Sequence, residues 1–210
     1  HGHNFYGYFN PFLSHMVVTA ERLAAFCTDT VLVLTELEKH DYLKYGIKDF
    51  DSIVVVPSGL EIMDFYRIRV KDKAEWKQAL NIPLDKKIVG IASRLEPVKG
   101  VRDFITAACG VCRKTESVEF LVIGDGEQRR ELEEMVAAAG AGRRIRFLGW
   151  REDVLELISV CDVLVQPSLN EAVGRSLLEA QILGVPVIAT KVGGIPEVVL
   201  NGVTGVLMHP

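Results

Sequence analysis

Lys87-Ile88-Val89-Gly90-Ile91-Ala92 is a short apolar run, Val98 to Arg113 is amphipathic, and Val118-Glu119-Phe120-Leu121-Val122-Ile123 is a second apolar run. Strand, helix and strand at these lengths make a βαβ unit, whose two strands lie parallel. The alternation continues outward. Leu132, Met135, Val136 and Ala139 fall at i, i+3, i+4 and i+7, a one-faced helix closed by Gly140. Ile145-Arg146-Phe147-Leu148 predicts a third strand, Val154, Leu155 and Ile158 a short helix, and Val163-Leu164-Val165 a fourth strand. A helix over Arg175 to Leu183 follows, then strands at Val185-Pro186-Val187-Ile188-Ala189 and at Gly205 to Met208. The predicted class is α/β, a Rossmann-like parallel sheet with helices on both faces.

Toward the start the texture changes. Glu21 to Phe26 reads as the end of a helix and Thr30 to Leu34 as a buried strand. Thr35, with Glu38 three residues on, forms a capping box for a helix running to about Tyr45. Ser52 to Val56 is another strand, stopped by Pro57-Ser58-Gly59, and residues 60 to 85 carry no strong strand. The predicted organisation is the tail of one α/β domain over 1–57, a crossover over 58–85, and a second domain over 86–210.

The 210 residues suffice for one large domain, or one domain and part of another. With 24 Lys+Arg against 28 Asp+Glu, the net charge of -4 argues against nucleic acid as a partner. Hydrophobic residues at 49% and charged residues at 25% exclude disorder. No apolar run approaches the roughly 20 residues needed to span a bilayer, and no secretory signal pattern opens the sequence. Four cysteines are too few for a disulfide scaffold, so a cytoplasmic setting is expected. The chain opens on His1 and closes on Pro210 directly after a strand, so both ends are expected to be cut, the second domain before its last helix.

Ligands of an open parallel sheet bind beyond the carboxyl ends of its strands. After the 87–92 run, Arg94 and Lys99 flank a Pro-containing turn, a pair of cations able to converge on one anion such as a diphosphate. Elsewhere on a surface such a pair is ordinarily solvated. After the 118–123 run, Gly124-Asp125-Gly126 begins like a dinucleotide fingerprint, but Arg129 holds the third glycine position, and a tight strand-to-helix turn explains both glycines. No phosphate-binding GxxxxGK stretch occurs. Pro167 to Ala180 is the most specific stretch. A helix starting near Val173 would aim its first amides at the crevice, with Glu171 before it and Glu179 about two turns in. Those carboxylates are too far apart to touch, yet could accept hydroxyls at opposite ends of an elongated ligand bearing two sugars. Cys109 and Cys112 read as inert thiols on a helix, and Arg143, Arg144 and Arg146 as a solvated strand edge.

These features together resemble the retaining group 1 glycosyltransferases (glycosyltransferase family 4), of two-domain GT-B fold. The resemblance rests on Ser93-Arg94-Leu95 with Lys99-Gly100, Gly124-Asp125-Gly126, Phe147-Leu148-Gly149, Glu171-x7-Glu179, and Gly184 to Thr190 followed by Gly193-Gly194-Ile195-Pro196-Glu197. It implies a nucleotide-sugar donor, expected to be UDP-linked, and a saccharide or lipid-linked acceptor, with transfer under retention. Arg94 and Lys99 would grip the diphosphate, the role of a metal in other transferase folds, so neither metal nor resident cofactor is expected. Glu179 would bind the ribose. Glu171 would contact the donor sugar, with the amides of Val173, Gly174, Arg175 and Ser176 around sugar and phosphate. Gly124, Gly126, Trp150 and Arg151 would frame the base, and His1 would lie at the reaction centre. The sequence departs from the pattern at Ala172-Val173, where Gly-Phe is usual, and at Ser58, where Asn is common. Alternatives are a nucleotide-sugar epimerase on the same fold and a donor-binding module without transfer activity. The resemblance also leaves room for peripheral membrane association through the N-terminal domain.

Overall fold

The computed structural model describes residues 10–67 and 73–210. Helix α1 (Pro11–Phe26) leads into strand β1 (Val31–Val33), helix α2 (Glu36–Lys44) and strand β2 (Ile53–Val55). The two strands pair in parallel as a small sheet of their own. As the capping box predicts, Thr35 Oγ1 accepts from Glu38 N–H at 3.1 Å. Glu38 reaches back one residue further than expected, accepting from Leu34 N–H at 2.7 Å.

Helices α3 (Ile62–Arg67) and α4 (Lys73–Ala79) follow, and then the main βα alternation. It runs β3 (Lys87–Ala92), α5 (Val101–Lys114), β4 (Val118–Ile123), α6 (Arg129–Ala138), β5 (Ile145–Gly149), α7 (Val154–Ser159), β6 (Val163–Gln166), α8 (Arg175–Ile182), β7 (Val187–Thr190), α9 (Ile195–Val198) and β8 (Gly205–Met208). These strands form a six-stranded, all-parallel sheet in the order β5-β4-β3-β6-β7-β8. The chain winds outward from β3 to β5, returns to lay β6 against the other side of β3, and winds outward again to β8. Strand order therefore reverses between β3 and β6, which sets the crevice of such a sheet there.

Side chains alternate faces along each strand, so each strand feeds two cores. Ile91, Phe120, Val122 and Ile145 pack under α5 and α6 with Val101, Phe104, Ile105, Leu132 and Val136. Ile88, Leu121, Ile123, Leu164 and Val187 pack on the opposite face with Leu157, Ile158, Leu177, Ala180 and Ile195. Helices thus cover both faces, as the sequence predicts. Trp76 and Ile82, within the expected crossover, join the second of these cores, so the stretch from Lys73 onward packs with the six-stranded sheet.

In the basic group at 143–146, Arg143 is exposed as expected, while Arg144 and Arg146 differ from the expected solvated state. Arg146 pairs with Glu119 Oε2 at 3.3 Å and donates to the carbonyls of Leu80 and Asn81. Arg144 donates to the carbonyls of Thr115 and Cys112. An edge strand needs its flank covered, and these guanidiniums tie β5 and its approach to neighbouring loops. Cys109 and Cys112 lie buried and free on α5, as expected.

Leu164 is wholly buried in the central strand β6. Leu164→Ala is expected to cost about 2–5 kcal/mol, the usual range for such a cavity. Urea unfolding would show it as a lower midpoint at unchanged slope.

Candidate functional site

The loops after β3 and β6 lie side by side at the switch point, joined by Leu169 N–H donating to Val98 O at 2.8 Å. A 3₁₀ turn over Pro97–Lys99 presents Lys99, and the β6 loop presents Glu171. Lys99 Nζ lies 2.7 Å from Glu171 Oε2, with the two side chains only 12% and 15% exposed. Gln166 Nε2 and Ser168 Oγ also approach that oxygen, at 3.3 and 3.4 Å.

Beside this pair opens a cavity of about 230 Å³, lined among others by Ser93, Arg94, Gly124, Asp125, Trp150, Arg151, Ser176 and Glu179. The structure so gathers six of the predicted site positions, Arg94, Gly124, Trp150, Arg151, Ser176 and Glu179, around one hollow. Lys99 and Glu171 form the adjoining ion pair. Each of the two cations expected to converge on one anion holds a carboxylate in this structure. Arg94 pairs with Glu96 at 2.8 Å on the surface, and Lys99 with Glu171 below it.

Helix α8 begins at Arg175, as the expected 175–183 helix does; Gly174 adopts the left-handed conformation (φ 71°), so Val173 lies before the helix and not at its start. Gly174 contributes no side-chain cap, and a first turn without a side-chain acceptor favours an anion. Val173 is buried, and the Arg175 side chain turns along the helix to Glu179, at 3.1 Å. Burial pushes the Glu179 carboxyl above its ordinary range, and Arg175 draws it part of the way back. Glu171 and Glu179 answer to different cations, in line with their expected separation.

Gly124 is needed for the turn itself. Its φ is 133°, and a Cβ there would fall 2.0 Å from Ser93 O. A Cβ on Gly126 would meet the Leu95 backbone at 2.6 Å, so both glycines let the β3 and β4 loops touch. Arg129, in the third glycine position of the fingerprint, pairs with Asp125 at 2.7 Å and Glu133 at 2.9 Å. The Gly126 N–H and Arg129 hold the Asp125 carboxyl below its usual value. Trp150 is 78% exposed at the mouth of the cavity, and Arg151 is clamped by Asp153 at 2.6 Å. His1 lies outside the described residues. Among those residues, no cluster of three His, Cys, Asp or Glu side chains could hold a metal, and no helix is long and apolar enough to cross a membrane.

Sequence reasoning missed Gln166, and noted Glu197 only within the 193–197 stretch, without a role. Gln166 was visible as a polar residue closing an apolar strand run. Glu197 accepts from the N–H groups of Glu36 and Leu37, at 3.0 and 2.7 Å, a contact across 160 residues that no local pattern announces.

A family model described as glycosyl transferases group 1 matches residues 72–210. The chain belongs to this family. It is 32% identical over 189 residues to D-inositol 3-phosphate glycosyltransferase of Corynebacterium urealyticum, covering 86% of this chain and 45% of that protein. It is 31% identical over 206 residues to 2-deoxystreptamine N-acetyl-D-glucosaminyltransferase of Streptomyces fradiae, covering 96% and 48%. The glycosyltransferase chain thus spans about half the length of the curated relatives it matches. Among solved structures, Anabaena HepE in complex with UDP-glucose superposes with a TM-score of 0.82 at 29% identity, over 94% of this chain and 56% of that one. The fold is the α/β GT-B type of these transferases.

The Glu179 assignment is testable by pH. A carboxyl raised in the folded state adds stability below its unfolded pKa and loses it as pH rises through the folded one. Glu179→Gln should therefore gain thermal stability relative to the parent as pH rises from below to above the carboxylate range. Melting curves across that range check this; a constant difference would contradict it.

Proposed function

We propose that the chain holds the donor site of a retaining glycosyltransferase that takes a sugar from a UDP-linked donor to a saccharide or lipid-linked acceptor. The observation that carries this reading is the junction of two features at the switch point, the Arg94–Glu179 cavity and the Lys99–Glu171 pair beside it. A nucleotide sugar has the matching sequence of groups: base and ribose, diphosphate, then hexose. The UDP-glucose bound by Anabaena HepE supports the choice of donor.

On this reading Glu179 accepts ribose hydroxyls, and Trp150 with the Gly124–Gly126 turn frames the base. Arg94, Lys99 and the first turn of α8 meet the diphosphate. Breaking the sugar–phosphate bond leaves charge on the departing oxygen, and fixed cations and amides stabilise that charge without reorganising. The Arg94–Lys99 set supplies positive charge itself, which supports a metal-independent reaction. Glu171 addresses the donor sugar, and retention follows from acceptor attack on the face the phosphate leaves, the phosphate assisting. Buried free thiols, with the Cys161 thiol pushed up to about 12 by burial, are compatible with a reducing cytoplasm.

Calorimetric titration of UDP, GDP and ADP, with and without EDTA, followed by a donor-hydrolysis assay, tests the proposal. UDP is expected to bind most tightly and to bind equally well in EDTA. Binding without turnover would assign the chain as a donor-binding module. Arg94→Ala and Lys99→Ala should each weaken UDP binding by about 1.5–3 kcal/mol, the usual worth of a charged hydrogen bond. Unchanged affinity in both variants would overturn the diphosphate assignment.

A further inference from the structure

Gln166 is a buried polar residue at the carboxyl end of β6, where the strand run is otherwise apolar. Every polar atom of its amide is engaged. Nε2 donates to Ser168 Oγ at 2.8 Å and to Glu171 Oε2 at 3.3 Å. Oε1 accepts from Ser176 Oγ at 3.0 Å. Ser168, itself wholly buried, donates its hydroxyl hydrogen bond to Glu171 Oε2 at 3.4 Å. These partners fix which way the amide points, since reversing it would set a carbonyl oxygen against a carboxylate.

Two consequences follow from the geometry. Gln166, Ser168 and Lys99 all act on Oε2 of Glu171, and none of the three acts on Oε1. The same amide also reaches Ser176, which lines the cavity with Arg94 and Glu179. A single buried side chain thus bridges the ion pair and the cavity.

We infer that Gln166 is a positioning residue for donor-sugar recognition: it locks Glu171 through Oε2, leaves Oε1 to meet the sugar, and keeps that carboxylate in register with the nucleotide cavity at Ser176. The inference rests on the donor reading above. An unbranched apolar replacement such as Gln166→Met keeps the length and packing of the side chain and removes the bridge. Gln166 itself does not line the nucleotide cavity, which it meets only through the Ser176 hydroxyl, so the larger loss should fall on the sugar.

Calorimetry with UDP and with UDP-glucose reads this directly on the parent chain, Gln166→Met, Glu171→Gln and the double variant. Gln166→Met is expected to leave UDP affinity within about twofold and to weaken UDP-glucose about tenfold, one charged hydrogen bond's worth. Because Gln166 acts through Glu171, adding Gln166→Met to Glu171→Gln should change UDP-glucose affinity by less than about twofold. Equal weakening of both ligands, additive effects in the double variant, or unchanged UDP-glucose affinity would each overturn the inference. Failure of the parent chain to bind UDP would remove the donor reading, and this inference with it. If Gln166→Met shows no cooperative melting transition, Ser168→Ala decides the matter through the same network. A selective loss for UDP-glucose supports the inference, and equal or absent effects on the two ligands overturn it.

Discussion

The Lys99–Glu171 ion pair is the constraint around which the crevice is arranged. Moving either charge out of water costs several kcal/mol, and the attraction between them offsets this only when further hydrogen bonds complete the site. Here Gln166 and Ser168 supply those bonds to Glu171 Oε2. The partners lie 72 residues apart, and only the placement of β6 against β3 brings them together. Sheet order and site electrostatics are thus one problem. A different strand order would part Lys99 and Glu171, leaving each without its counter-ion.

The Glu171 loop is held from its other side as well. Gly194 N–H donates to Glu171 O at 3.1 Å, and a Cβ on Gly193 would lie 1.9 Å from that same oxygen. Only glycine, here with φ 48°, lets the turn after β7 come so close. A Cβ on Gly194 would meet Ala172 O and then the Thr35 methyl, which belongs to the segment leading into α2. Glu197 completes this contact by capping α2 with both carboxylate oxygens. A carboxylate at a helix N-terminus satisfies orphan N–H groups and meets the positive end of the helix dipole. The backbone of Glu171 is therefore fixed by the 193–194 turn, and its carboxylate by Lys99, Gln166 and Ser168.

Periodicity made most of the fold legible. The runs at 87–92 and 118–123 return as β3 and β4 with the same bounds, and Gly205–Met208 as β8. Such runs are readable because a doubly covered parallel strand must be apolar along its whole length. The start of α8 at Arg175 agrees with the apolar run, whereas a start near Val173 does not, because the left-handed Gly174 is a conformational choice that apolar spacing does not encode. Partner choice was least legible. Arg146 reads locally as a surface charge and becomes a brace only once β5 lies beside β4 and Glu119. Arg94 and Lys99 read as equivalent cations, yet they differ because Glu96 is a near neighbour in sequence and Glu171 is not.

That difference bears on how a diphosphate would be received. The Arg94–Glu96 pair is surface-exposed, and such pairs are worth about 0–1 kcal/mol, so exchanging Glu96 for a phosphate costs little. Lys99 cannot be released on the same terms, since parting it from Glu171 would strand a carboxylate that is mostly removed from water. An ammonium carries three donor hydrogens, however, and can hold Glu171 with one while offering another to an incoming anion. On the proposed reading, Arg94 is then the cation that moves to the donor, while Lys99 stays where the fold put it. The charge developing on the leaving diphosphate would meet one adaptable fork and one fixed point, and the fixed point is shared with the carboxylate that addresses the sugar.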